Sequence, residues 1–147
     1  MVDATGQIHG INSGGLSRAF ATTIPVETVN RVVGQLLERG YVARGWLGAA
    51  MQPVRFNPQA QRRLGLDTDS GLVILSVEPD GPAALSGLLV GDVIVKLGGR
   101  PIENVEDLVD ALGASDVVGR TFNLDLVRGG ERIKADVLIG ERPRRSA

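Results

Sequence analysis

Pro82-Ala83-Ala84-Leu85-Ser86-Gly87-Leu88-Leu89-Val90-Gly91-Asp92-Val93-Ile94-Val95-Lys96-Leu97-Gly98-Gly99 holds three local structures in a row. Pro82 to Leu85 predicts a short helix stopped by Gly87. Asp92 to Leu97 predicts a strand, with Asp92 fixing the preceding turn through backbone hydrogen bonds. Gly98-Gly99 suits a hairpin reversal, because both residues accept the positive φ that such turns need. Just upstream, Gly71 to Val77 is an apolar strand run, and Glu78-Pro79-Asp80-Gly81 is a turn.

Downstream, Asn104 can cap a helix over Val105 to Leu112, with Val105, Leu108, Val109 and Leu112 at helical spacing. Gly113 ends it. Phe122, Leu124 and Leu126 then alternate with polar residues. Gly129-Gly130 turns the chain into Ile133, Ala135, Val137 and Ile139 on a matching face. Between the first strand and Gly71, Asn57-Pro58 supplies a cap and first turn for a short helix through Leu64. From Gly45 on, these signals amount to about five strands, two short helices and one longer helix. A small, partly open antiparallel barrel accommodates them, the helices plugging its openings.

That region begins with Gly45-Trp46-Leu47-Gly48, followed by the extended run Ala49-Ala50-Met51. Glycine lets the backbone turn several N–H groups toward one point, and such a nest attracts anions. If the strand after it has a free edge, an extended peptide can pair there and place its terminal carboxylate in the nest.

Before Gly45 the signals are sparser. Residues 1 to 24 are strand-like: Gln7-Ile8-His9-Gly10-Ile11, a Gly-Gly break, then Ala19 to Ile24. They carry too few large apolar side chains to form a core alone. Pro25 is expected at the first position of a helix that places Val26, Val29, Val32, Val33, Leu36 and Leu37 on one face and stops at Gly40. Three segments result: 1–40, 41–141 and a basic tail at 142–147.

Composition excludes several classes. The 147-residue chain has a net charge of −1, one Trp, one Tyr and three Phe. Nucleic-acid binding normally needs a basic stripe or stacking aromatics, and neither occurs. Arg142-Pro143-Arg144-Arg145 reads as a solvated tail. With no Cys and His9 alone, a His/Cys metal site is not expected, and the scattered carboxylates lack calcium-loop spacing. We expect no cofactor and no metal. No apolar run reaches membrane-spanning length, and the first residues lack the basic and apolar regions of a signal peptide.

Pro82-Ala83-Ala84-Leu85-Ser86-Gly87-Leu88, Gly91-Asp92-Val93-Ile94 and Gly99-Arg100-Pro101-Ile102, in that order, resemble the core of bacterial PDZ domains. The order of elements is similar to the circularly permuted bacterial form over roughly residues 44 to 141. Upstream, Val2-Asp3-Ala4-Thr5-Gly6-Gln7 with Gly10-Ile11-Asn12, then Ile24-Pro25 and the helix to Gly40, resemble the end of the trypsin-like domain of HtrA serine proteases. The fold implied is α+β and mainly β: a PDZ-type, partly open antiparallel barrel capped by helices. A trypsin-like barrel remnant and a linker helix precede it. Ala19-Phe20-Ala21-Thr22-Thr23 departs from that family's usual Gly-rich strand.

Asn12-Ser13-Gly14-Gly15 is similar to a protease nucleophile motif, but the chemistry fails. A nucleophilic Ser needs a base in hydrogen-bond reach, oriented by a third group. His9 stands four residues away, about 13 Å along an extended strand at roughly 3.3 Å per residue. A loop role is expected for Ser13, and Lys96 and Lys134 fit strands of the distant module. No catalytic residue is assigned, and the His/Asp/Ser triad of the parent serine endopeptidase family is expected to be missing from this chain.

The resemblance implies instead that Gly45, Trp46, Leu47 and Gly48 form a carboxylate-binding loop. Backbone N–H groups of Leu47, Gly48 and Ala49 would hold the carboxylate, and Ala49 to Met51 would pair with the peptide. Leu47, Ala49, Met51, Leu108, Val109 and Leu112 are pocket candidates; Leu108 and Val105 suit the core better than the groove, and Leu112 suits either. The helix has no His at its start, so an apolar terminal residue is expected rather than selection for Ser or Thr two residues earlier. The implied partners are C-terminal peptides of unfolded or client proteins, recruited for protein quality control. Residues 1–40 are candidates for self-association. A full-length family member would work in the periplasm or cell envelope.

Overall fold

The computed structural model describes residues 2–13, 22–114 and 116–143. The chain divides into two compact units, residues 1–42 and 43–147.

In the first unit, an isolated bridge joins Val2 to Ile8 around a turn held by Asp3. Asp3 Oδ1 accepts hydrogen bonds from the Thr5 hydroxyl (2.6 Å) and from the backbone N–H groups of Thr5 and Gln7. His9 Nε2 lies 2.7 Å from Asp3 Oδ2. The Thr5 hydroxyl and His9 ring, with the two N–H groups, hold the Asp3 carboxyl well below the usual carboxylate range. Strand β1 (Gly10–Ser13) pairs antiparallel with β2 (Thr22–Pro25). Ser13 is thus in a strand, opposite Thr22, where a loop was expected. The expected Gly14-Gly15 break and the strand from Ala19 to Ala21 lie outside the described residues. Helix α1 (Val26–Arg39) follows. Pro25, expected as the first helical residue, instead stands one place before the helix, because it completes β2. Gly40 ends the helix at φ 73°, its N–H donating to the Leu36 carbonyl at 2.9 Å.

The second unit holds strands β3 (Gly45–Trp46), β4 (Ala49–Arg55), β5 (Ser70–Val77), β6 (Val93–Leu97), β7 (Arg100–Pro101), β8 (Thr121–Arg128), β9 (Glu131–Leu138) and β10 (Gly140–Glu141). Helices α2 (Pro58–Leu64), α3 (Pro82–Leu85) and α4 (Val105–Gly113) are interleaved. One antiparallel sheet runs β4-β5-β6-β8-β9, with β7 hairpinned to β6, while β10 pairs with β3 separately. The sheets do not close, as expected for a partly open barrel. Two-residue strands such as β3, β7 and β10 escaped the sequence pattern because they are too short to display alternation.

Local signals set the element ends. Asn57 accepts from Ala60 N–H at 2.7 Å and Pro58 opens α2. Asn104 and Asp107 form a reciprocal capping box, and Asp107 Oδ2 also accepts from Glu103 N–H at 2.9 Å. Gly98 and Gly99 reverse the chain at φ 57° and 80°, Gly129 and Gly130 at 57° and 82°. The alternating residues Leu72 and Ile74, Leu124 and Leu126 bury fully against Ile94, Ile102, Val137 and Ile139.

Asp92 does more than fix a turn. Its carboxylate, 1 % exposed, accepts from Leu89 N–H at 2.9 Å and from Arg128 Nε and Nη2, both at 2.7 Å. Arg128 Nη2 also donates to the Gly87 carbonyl. Burial alone would raise the Asp92 pKa. The Arg128 hydrogen bonds, the Leu89 N–H and the guanidinium charge outweigh it, and the net shift is downward. Position 128 was not singled out by sequence, since its partner Asp92 lies in a turn 36 residues away along the chain.

Asp92→Asn should therefore lower unfolding stability in urea by about 3 kcal/mol, leaving Arg128 without its bidentate partner. A carboxyl with a depressed folded pKa stabilises above its unfolded pKa of about 4 and loses that contribution as pH falls through the folded value. The gap between the two proteins should accordingly be full at pH 7 and narrow below pH 4 as acid protonates Asp92.

Candidate peptide-binding edge

The structure divides Gly45-Trp46-Leu47-Gly48 into two parts. Gly45 and Trp46 form β3, opposite Glu141 and Gly140 of β10. Arg142 N–H extends this pairing to the Arg44 carbonyl at 3.0 Å, so the expected free tail does not begin at Arg142. Residues 144 to 147 lie outside the described residues. Leu47 and Gly48 form the turn into β4.

The two glycines serve different ends. A Cβ at Gly45 would stand 2.8 Å from the Leu112 carbonyl oxygen and from Val117 Cγ2, so its role is close approach of β3 to the end of α4. Gly48 adopts φ 72°, where L side chains are strained, beside the Trp46 ring and Pro82.

The loop's carbonyls point into the fold. Leu47 accepts from Ala83 N–H, a donor otherwise left over in the first turn of α3, and Gly48 accepts from Glu78 N–H, both at 2.7 Å. In a planar trans peptide the next residue's N–H points opposite to the carbonyl. The N–H groups of Gly48 and Ala49 are thereby turned away from α3 and β5, toward the open side of β4.

Among the described residues, strand β4 ends its sheet, with β5 on one side only. Ala49 faces Val77 with the Glu78-to-Gly48 hydrogen bond just beyond. In the antiparallel pattern this leaves the N–H and C=O of Ala49 on the free edge. Met51 faces Ile74, whose N–H donates to the Asp92 carbonyl and whose carbonyl accepts from Gly91. Met51 therefore also turns its backbone groups outward. The register shift between Ala50 and Met51 places one extra residue on β5, so the alternation along β4 is kept.

Helix α4 packs beside β3 and β4. Leu108 is buried in the core and Leu47 is 2 % exposed, whereas Ala49, Met51 and Leu112 are half-buried against the core. Val109 is 58 % and Val105 39 % exposed. Val105, Val109 and Leu112 follow i, i+4, i+7 spacing and make one apolar stripe, exposed at Val105 and Val109 and half-buried at Leu112. Ala50 is exposed. The opposite sheet edge differs: β9 carries Glu131, Arg132, Lys134 and Asp136, charges that discourage strand addition, while Ala49 to Val54 carries none.

Residues 45–139 match the PDZ domain family, and the chain belongs to that family. It is 37% identical over 148 residues to a probable periplasmic serine endoprotease DegP-like of Pseudomonas putida (strain W619), covering 97% of this chain and 30% of that protein. The corresponding protein of Ectopseudomonas mendocina (strain ymp) is 39% identical over 143 residues, again covering 30% of its length. Among solved structures, HtrA-type protease AlgW with a decapeptide superposes with TM-score 0.64 at 30% identity, covering 98% of this chain and 45% of that one. The HtrA3 PDZ domain bound to a phage-derived ligand shares the fold, at 22% identity and TM-score 0.50 over 68% of this chain and 88% of that one. The chain thus spans about 30% of the length of these DegP-like relatives, the PDZ-containing part of a serine endopeptidase family rather than its catalytic body.

Gly45→Ala should lower stability by about 1–3 kcal/mol, since the added methyl meets backbone oxygen that cannot easily yield. Gly113→Ala, where a Cβ meets nothing within 4 Å, should leave the urea midpoint unchanged or higher.

Proposed function

We propose that this chain binds free protein C-termini by adding them as a strand to β4, recruiting substrates for an HtrA-type serine protease. The reading rests chiefly on one observation. The inward carbonyls of Leu47 and Gly48 turn adjacent N–H groups to the head of an uncharged free edge. A terminal carboxylate placed there receives hydrogen bonds from Gly48 and Ala49, the nest that Leu47 opens. The peptide then runs antiparallel to β4. Its last side chain lies among Ala49, Met51, Val109 and Leu112, which favours an apolar residue. Gly45, Trp46 and Leu108 act from behind, holding the loop and helix in place. The structure of HtrA-type protease AlgW with a decapeptide supports peptide binding by this related chain.

Main-chain pairing to a neutral edge gives general affinity, on the order of micromolar or about −8 kcal/mol. Such breadth suits recruitment of unfolded or client proteins. The relatives' description as periplasmic supports the cell envelope as the place of action.

Residues 1–40 carry a second proposal, self-association. Ile8, Ile11, Leu36 and Leu37 are exposed, Leu37 by 83 %, and no side chain of α1 is buried. In light scattering the whole chain should show a mass that rises with concentration, and residues 43–147 should remain monomeric. Equal masses at all concentrations would remove this role.

For binding, isothermal titration of a peptide ending in free valine against its amidated copy should give at least about tenfold weaker binding for the amide, the loss of a charged hydrogen-bond acceptor. Val109→Asp should weaken the free acid by about tenfold with an unchanged urea midpoint, because Val109 lies outside the core. Equal affinity of acid and amide would overturn the carboxylate nest.

A further inference from the structure

Pro53 sits inside β4, opposite Leu72, on the strand that ends the sheet. Proline has no N–H, so in a sheet it belongs where no ladder bond is required. The alternation agrees. Gly48 and Phe56 mark the two ends of the pairing with β5, through the Glu78-to-Gly48 and Phe56-to-Asp69 hydrogen bonds, both 2.7 Å. Even-numbered residues between them turn toward β5, and Ala49, Met51 and Pro53 turn toward the free edge. The row of outward N–H groups is therefore Ala49, Met51 and then a proline ring.

We propose that Pro53 terminates the peptide register, so that only the last four residues of a bound C-terminus can pair with β4. This inference rests on the strand-addition reading above and deepens it. With the carboxylate at Gly48 and Ala49, the terminal ligand residue faces Ala49 and the residue two before it faces Met51. Both can exchange N–H···O bonds in full. The residue four before the terminus faces Pro53. A ladder acceptor stands about 2.9 Å from the donor nitrogen. In proline, Cδ is bonded to that nitrogen and fills the hydrogen's place, so the ligand's carbonyl is both without a donor and pushed off the strand.

The ground beyond matches a ligand that leaves the sheet. A depression of about 420 Å³ is lined by Pro53, Val54, Arg55, Ser70, Glu103 and Asn104, more polar than the stripe of Val105, Val109 and Leu112. The same ring blunts β4 against pairing with the β4 edge of another copy, which would need an unbroken row of donors. Pro53 thus limits pairing to a short C-terminal tail, whatever the length of chain that precedes it, and keeps the edge from aggregating.

The test compares acetylated peptides of three, five and eight residues, alanine throughout except for a free C-terminal valine, binding to the whole chain and to Pro53→Val. In the natural protein, lengthening from three to eight residues should tighten binding by less than about twofold. In Pro53→Val the five- and eight-residue peptides should gain about three- to tenfold, the range of one or two recovered hydrogen bonds. The three-residue peptide should bind both proteins equally, which also reports that the variant is folded. Equal gains with length in the two proteins would overturn the role of Pro53 while leaving strand addition intact. Should the three-residue acid bind neither protein, or no better than its amide, strand addition itself falls and the register with it.

Discussion

Two backbone hydrogen bonds, from Ala83 to the Leu47 carbonyl and from Glu78 to the Gly48 carbonyl, set the direction of everything that follows along β4. They point the loop's oxygens inward, and peptide planarity then points the next two N–H groups outward. They also set the phase of the ladder, so Ala49 and Met51 present their backbone groups to the free edge and Pro53 falls in the same set. Had the phase been shifted by one residue, proline would face β5 and interrupt the sheet. Gly48 can hold this geometry because its φ of 72° carries no penalty for glycine.

The elements that supply those donors are themselves held from elsewhere. Helix α3 is only four residues long and has no stability of its own. Its neighbourhood is tied down by Asp92, which grips Leu89 N–H on one side and Arg128 of β8 on the other, while Arg128 reaches the Gly87 carbonyl. On the far side of the edge, the Asn104–Asp107 box fixes the start of α4 and Gly45 lets its end approach β3. The free edge of β4 therefore starts from an anchored loop and lies beside an anchored helix, whose Val105 and Val109 are exposed.

Much of this was legible in the sequence. Asn57-Pro58, Asn104 and the Gly-Gly pairs each act within a few residues, so their caps and turns can be read without knowing the fold. Leu124, Leu126 and Val137 showed their faces through alternation. Other features were not legible. Ser13 looked like loop because glycines follow it, yet pairing with Thr22 draws it into a strand. Strand β3 gave no periodic signal at two residues. Gly45 and Gly48 looked alike as a bracketing pair, but one answers to crowding from Leu112 and Val117 and the other to its own φ.

The sequence by itself determined the local conformations, the order of elements and the resemblance carried by residues 82 to 102, because capping, turn chemistry and alternation depend on near neighbours. It also located the stretch proposed to meet the ligand. Only the tertiary structure decided which edge of which sheet stays open, which backbone groups face it, and that Pro53 stands among them. Those properties arise from pairing between residues far apart in the chain: Ala49 with Val77, Met51 with Ile74, Asp92 with Arg128. A ladder's phase is a relation between two strands, and neither strand's sequence contains it alone.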